Sequence, residues 1–311
     1  MKNKVTYCLS VLFVALLTSC TEDLILEAPE GAKRPVVEAY FTDETKCHEV
    51  ILSYSSELYA HSTEMISGAE VYVVISRNYQ DSGDTVYFQE QVDKPGHYLS
   101  DSVAGTKNRW YHLAVKVPEN TLYETPLLMY ADAKMPNNAQ GIDSIGLLPL
   151  LNDEGIPFVD EEAAVCICPY FQTLQDPDIV YNVELYLNDS RFKNRPSKLF
   201  QLFQMQGYAG YYFNGEEMLN NNIPIPVGIM NKSYLDEGDR IKVKLFSISK
   251  DYLYFLVGQK LAVGVNPIMG AFPAITTNVF SNCNAIGWFA TTSVIEGEGI
   301  YHESVFDVER Q

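Results

Sequence analysis

Three stretches of this sequence hold residues whose types and spacing could do chemistry. Leu17-Thr18-Ser19-Cys20 places a thiol just after an apolar run and behind small residues. A thiol can take a diacylglycerol as a thioether, and small residues admit a peptidase to the bond before Cys20. The arrangement resembles a bacterial lipobox. Ser247-Ile248-Ser249-Lys250 has the S-x-x-K spacing that sets a lysine base one helical turn from a serine nucleophile. No S-D-N or K-T-G accompanies it, so a helix cap is the simpler reading. MQGYAGYYFNGEEM, 205–218, gathers Tyr208, Tyr211, Tyr212 and Phe213 among glycines. Their ring faces could stack on sugars or anchor a protein partner, or fold inward in a tight hairpin.

No catalytic residues are assigned. The chain has no G-x-S-x-G, H-E-x-x-H, P-loop or dinucleotide fingerprint. Asp81-Ser82-Gly83-Asp84 has the composition of a hairpin turn. Acidic groups at Asp153-Glu154, at Asp160-Glu161-Glu162 and at Asp236-Glu237 with Asp239 lack the ordered spacing of a calcium loop. They read as solvated faces. The five histidines, His48, His61, His97, His112 and His302, show no paired spacing, so no metal and no cofactor are expected. Cys47, Cys166, Cys168 and Cys283 allow three pairings, which the sequence leaves open. Cys166 and Cys168 would share one face of a strand, where a direct bond between them is strained.

The residues before Cys20 have the three parts of an export signal. Lys2 and Lys4 form a basic start, and Val5 to Leu17 an apolar run too short to span roughly 30 Å of hydrocarbon. Residues 1–19 are expected to be removed, leaving Cys20 as a lipidated first residue and 20–34 as a tether. Glu22 and Asp23, directly behind the cysteine, resemble the acidic export signal of Bacteroidetes-type surface lipoproteins. Removal takes two lysines and no acids. The mature chain then holds 20 basic and 40 acidic residues, net −20. Phosphate backbones repel such a chain, so nucleic acid is excluded as a partner.

The elements that must position any site are strands. Short apolar segments recur at 36–41, 48–54, 69–76, 85–91, 97–101 and 110–117, separated by turn clusters such as Lys94-Pro95-Gly96. They predict an all-β, sandwich-type domain over 35–130. ADAKMPNNAQG, 131–141, reads as a linker to a second β-rich domain, 142–311. Its strands are expected at 142–148, 163–171, 179–187, 198–205, 239–248, 284–295 and 301–308. One main helix starts behind Ser249 and stops near Gly264 and Pro267.

PVVEAYFTDE (35–44), SGAEVYV (67–73), PGHYLSD (95–101), KMP (134–136), DPDIVYNVELYLN (176–188), EGDRIKVKLFSISKDYLYFL (237–256) and IGWFATTSV (286–294) stand in a telling order. With the lipobox and acidic tether, the chain resembles the lipoproteins grouped as domain of unknown function 4249. The resemblance implies an outer-membrane protein whose first domain is an immunoglobulin-like or peptidase-regulatory-like β-sandwich. It implies a TonB-dependent transporter as neighbour, and no established activity. The expectation is a non-enzymatic, lipid-anchored protein of the outer membrane, facing the cell surface, with the periplasmic face as alternative. It would bind a glycan or peptide ligand or dock onto a TonB-dependent transporter in nutrient uptake. A surface hydrolase acting on glycan or peptide, and a structural adhesin, are the competing expectations.

Overall fold

Alternation of apolar and polar residues writes most of the sheet into the sequence. In PVVEAYFT, Val37, Ala39 and Phe41 are buried while Glu38 between them is exposed, the period of two that a half-buried strand requires. The computed structural model describes residues 33–56, 62–119, 125–138, 141–152, 158, 163–171, 176, 178–192, 212–213, 227–264 and 276–307. Cys20, Glu22, Asp23, His61, Tyr208, Tyr211, the acids at 153–154 and 160–162, and the segment 198–205 lie outside them. The fold is mostly β, with one α-helix among the described residues.

The first strands are β1 (Pro35–Thr42), β2 (Lys46–Tyr54), β3 (Glu70–Ser76), β4 (Asp84–Gln91), β5 (Lys94–Val103), β6 (Trp110–Val117) and β7 (Leu127–Lys134). Then come β8 (Ser144–Pro149), β9 (Ala164–Tyr170), β10 (Ile179–Leu187), β11 (Ser190–Arg191), β12 (Tyr212–Phe213) and β13 (Gly228–Asn231). The chain ends with β14 (Arg240–Ser249), helix α1 (Lys250–Gly264), β15 (Val279–Ser281) and β16 (Ile286–Ile300). A continuous sheet runs β11-β10-β14-β16-β1-β2-β5-β4-β3-β6-β7-β15, with β12 added on β10, and β13-β9-β8 form a second, small sheet.

β16 joins the two ends of this order. Its first half pairs in parallel with β1, Val36 beside Ile286 through Thr42 beside Thr292. Its second half pairs antiparallel with β14, Ser293 beside Ser247 through Ile300 beside Arg240. The large sheet curls, so one core holds residues of β1, β3, β6 and β7 together with Val279, Ala285 and Phe289 from the far end of the chain. A second core lies between the small sheet and β10-β14, with Val165, Ile167, Tyr181, Val243, Leu245 and Tyr301.

Residues 131–134 belong to β7, and the segment after it is tied to both cores. Met135 is fully buried in the first. Buried Asn138 donates from Nδ2 to the Ser293 carbonyl at 2.7 Å, at the point where β16 passes from one core to the other.

Helix α1 begins where the sequence predicts. The Tyr252 N–H donates to Ser249 Oγ at 3.2 Å, the bond of an N-cap serine. One expected strand is corrected. Residues 301–307, the described part of the expected strand 301–308, do not continue the sheet; a 3-10 helix occupies Glu303–Phe306. β16 meets the first residue of β14 at Ile300, so the chain beyond has no strand to pair with.

Candidate functional site

Helix α1 crosses the face of β14, β16 and β1 turned away from the two cores. Phe246 and Ile248 from β14 meet Tyr252, Leu253 and Leu256 there, and Phe255 packs on Trp288 and Ala290. The rings are nearly parallel: Phe255 and Trp288 lie 5.1 Å apart at 29°, Tyr252 and Trp288 6.0 Å apart at 28°. Offset stacking of this kind fixes the helix against the sheet.

The helix stops short of β2, leaving a groove of about 490 Å³ along β1 and β2. Tyr252, Phe255 and Trp288 form one wall, Glu38 and Glu49 the other, with Lys46 at the β2 end and Gln259 on the helix. Tyr40 lies on the floor. Burial holds its hydroxyl well above the ordinary phenol range, although the Thr292 side chain bonds to it. It therefore stays a neutral donor. Glu49 bonds His97 Nδ1 at 2.8 Å, and Lys46 pairs with Glu44 at 2.8 Å. A cleft with an aromatic wall and a few polar groups has the make-up of a small-ligand site.

A second constellation sits on the outer face of β3, β6 and β7. His112 Nδ1 lies 2.6 Å from Asp132 Oδ1, and its Nε2 lies 3.2 Å from Ser76 Oγ. The order serine, histidine, aspartate at hydrogen-bond spacing is that of a nucleophile, its base and the orienting acid. Two facts oppose that use. Ser76 is 2% exposed, and its one hydroxyl proton goes to the Asn78 carbonyl at 2.7 Å rather than to His112. The Tyr79 ring lies edge-on against His112, its hydroxyl donating to Asp132 Oδ2 at 2.6 Å. No sequence motif marks this set, because its members are 36 and 20 residues apart on three strands.

The sequence candidates fall elsewhere. Ser247 faces inward, fully buried beside Ser293, and its Oγ has no hydrogen-bond partner, so Lys250 makes no bond to it. Tyr212 and Phe213 form β12, paired with Asn182 and Tyr181 of β10. Glu237 accepts from the Glu303 N–H and from His302 Nδ1, both at 2.6 Å, while Asp239 accepts from the Asp236 N–H. These acids hold turns. Asp81 closes the β3–β4 turn, its side chain accepting from Asn78 Nδ2 at 2.7 Å. Among the described residues no three His, Cys, Asp or Glu side chains cluster as a metal site would need. None of the described helices is long and apolar enough to cross a membrane.

Cys47, Cys166, Cys168 and Cys283 are all unbonded. Cys166 and Cys168 share a small core with Leu150 and Ile229. Burial pushes their thiols up to about 11 and about 12, which makes them unreactive in the folded chain.

The family model described as domain of unknown function (DUF4249) matches residues 21–297, and the chain belongs to that family. No curated protein matches it.

Proposed function

We propose that this member of the DUF4249 family is a lipid-anchored outer-membrane protein without chemistry of its own. It works at the cell surface, capturing a ligand for a TonB-dependent transporter or docking onto that transporter. Cys20 carries the acyl chains, each buried methylene contributing about 0.8 kcal/mol to the anchor. Glu22 and Asp23 direct export. Within this reading β1 to β7 are an immunoglobulin-like or peptidase-regulatory-like sandwich.

The observation that supports capture is the groove beside α1. Its aromatic wall and its carboxylates Glu38 and Glu49 come from elements already fixed by packing, so ligand binding costs little reordering. The experiment is purification of the native protein from detergent-solubilised outer membrane. A transporter, a bound glycan or a bound peptide is expected with the native chain. A Glu38→Arg chain, whose longer side chain enters the groove without disturbing a core, should retain at least tenfold less ligand. Recovery of the native protein alone would sink the proposal.

Hydrolysis of a surface glycan or peptide is the second reading, favoured by Ser76, His112 and Asp132. A fluorophosphonate label found on Ser76, and absent from a Ser76→Ala chain, would replace the first reading with this one.

A further inference from the structure

The outer face of the curled sheet carries a row of aromatic rings that no core uses. Tyr87 on β4 stands opposite Tyr72 on β3, their rings 5.9 Å apart. Tyr72 stands opposite Ala114 on β6, Ala114 opposite Tyr130 on β7, and Tyr130 opposite Phe280 on β15. The row therefore crosses five adjacent strands at one register position. With strands about 4.8 Å apart it is roughly 19 Å long. Tyr87, Tyr130 and Phe280 are 63%, 49% and 69% exposed. Ala114, the one small residue, leaves a dip between Tyr72 and Tyr130.

The row opens at its β4 end into a hollow of about 470 Å³, lined by Thr85, Tyr87, Gln89, Leu99 and Asp101. Large apolar side chains exposed together mark a binding surface more often than single ones do.

From this geometry we propose that the row and its hollow bind an extended, uncharged polysaccharide laid across the strands. Three observations select that occupant. Four rings stand in single file on β4, β3, β7 and β15, with Ala114 of β6 between them, which suits a linear chain more than the broad apolar centre of a protein interface. The neighbours of the rings are hydrogen-bonding groups, Thr85, Gln89 and Asp101 among them. A pyranose needs both kinds of partner, an aromatic face under its C–H bonds and polar groups at its hydroxyls. Finally, charge on the strands beneath is balanced. Glu70 on β3 stands opposite Lys116 on β6, and Asp132 and Lys134 follow one another on the same face of β7, although the whole chain carries −18. An interface selected for a charged partner would show one sign in excess.

The row is separate from the groove beside α1, so either site can fail without the other. Native affinity electrophoresis tests it, in gels containing mixed-linkage β-glucan, xyloglucan, galactomannan or soluble starch. The full chain should be retarded by at least one polymer. A Tyr87→Ala/Tyr130→Ala/Phe280→Ala chain, which removes only exposed rings, should lose that retardation at least tenfold while keeping its circular dichroism. Retardation should be the same in about 0.05 M and about 0.5 M NaCl, because a neutral ligand has no charge to screen. No retardation by any of the four polymers, or equal retardation of the triple variant, overturns the proposal. So does a triple variant that loses only its co-purifying transporter, which would make the row a protein-docking surface. Retardation lost in the Glu38→Arg chain but kept in the triple variant would place polymer binding in the groove beside α1 and overturn the proposal.

Discussion

His48 is buried to 1% exposure between two partners that suit only its neutral form. Its Nε2 lies 2.9 Å from the Val103 carbonyl, which accepts a proton, and its Nδ1 faces the Thr42 N–H, which donates one, at 3.4 Å. The ring stacks on Phe41 at 3.8 Å. A proton added at Nδ1 would point at another N–H. Desolvation accordingly lowers the histidine to about 4, despite the Val103 bond that raises it. The sign follows from linkage. Above pH ~6.5 the ring is neutral in both states; between ~6.5 and ~4 only the unfolded chain takes up the proton, so stability falls with pH. The full loss is on the order of 3 kcal/mol by pH 4. Urea unfolding at pH 7 and at pH 4.5 should show a larger drop for the native chain than for His48→Gln. Equal drops would remove His48 as the cause.

At the scale of elements, period-two patterning makes most strands legible in the residues themselves. The first six strands and the S-x-x-Y cap at Ser249 follow from local residues alone. Contact between distant segments is not legible in that way. Ser76, His112 and Asp132 meet only because β3, β6 and β7 are neighbours. The aromatic row likewise depends on register, which alternation within one strand does not give. β15 is three residues long, too short to show a period. The parallel pairing of β1 with β16 is hidden for the same reason, yet one residue in it carries a local sign. Gly287 sits at φ +117°, and a Cβ there would overlap the Val37 backbone carbonyl. Only glycine allows the two strands to approach in that conformation. Gly287→Ala should destabilise the fold by about 2 kcal/mol or more, read as a lower urea midpoint. Gly238→Ala, at φ +88° with open space around it, isolates the backbone term and should cost less.

For the whole molecule, the decisive element is β16. One strand supplies Phe289 to the first core and packs Ile295 on the second, so neither core can open without exposing the strand that the other needs. Thr291, Ser293 and Ser247 lie at the crossing with hydroxyls that no protein group satisfies, while Asn138 ties the chain between the halves to the same place. Shared burial of this kind predicts one cooperative transition rather than two. The thiols provide the test. In a chain that starts at Thr21 and carries Cys47→Ser and Cys283→Ser, the remaining thiols are Cys166 and Cys168, both buried in the small sheet. They should resist a thiol reagent until that sheet opens. Tryptophan fluorescence meanwhile reports the large sheet, through Trp110 on β6 and Trp288 on β16. Thiol labelling and fluorescence should share one urea midpoint, and Gly287→Ala should move both together although it lies far along the chain from either cysteine. Labelling complete at a urea concentration where fluorescence is still native would mean that the small sheet opens by itself, and the shared strand would then not couple the cores.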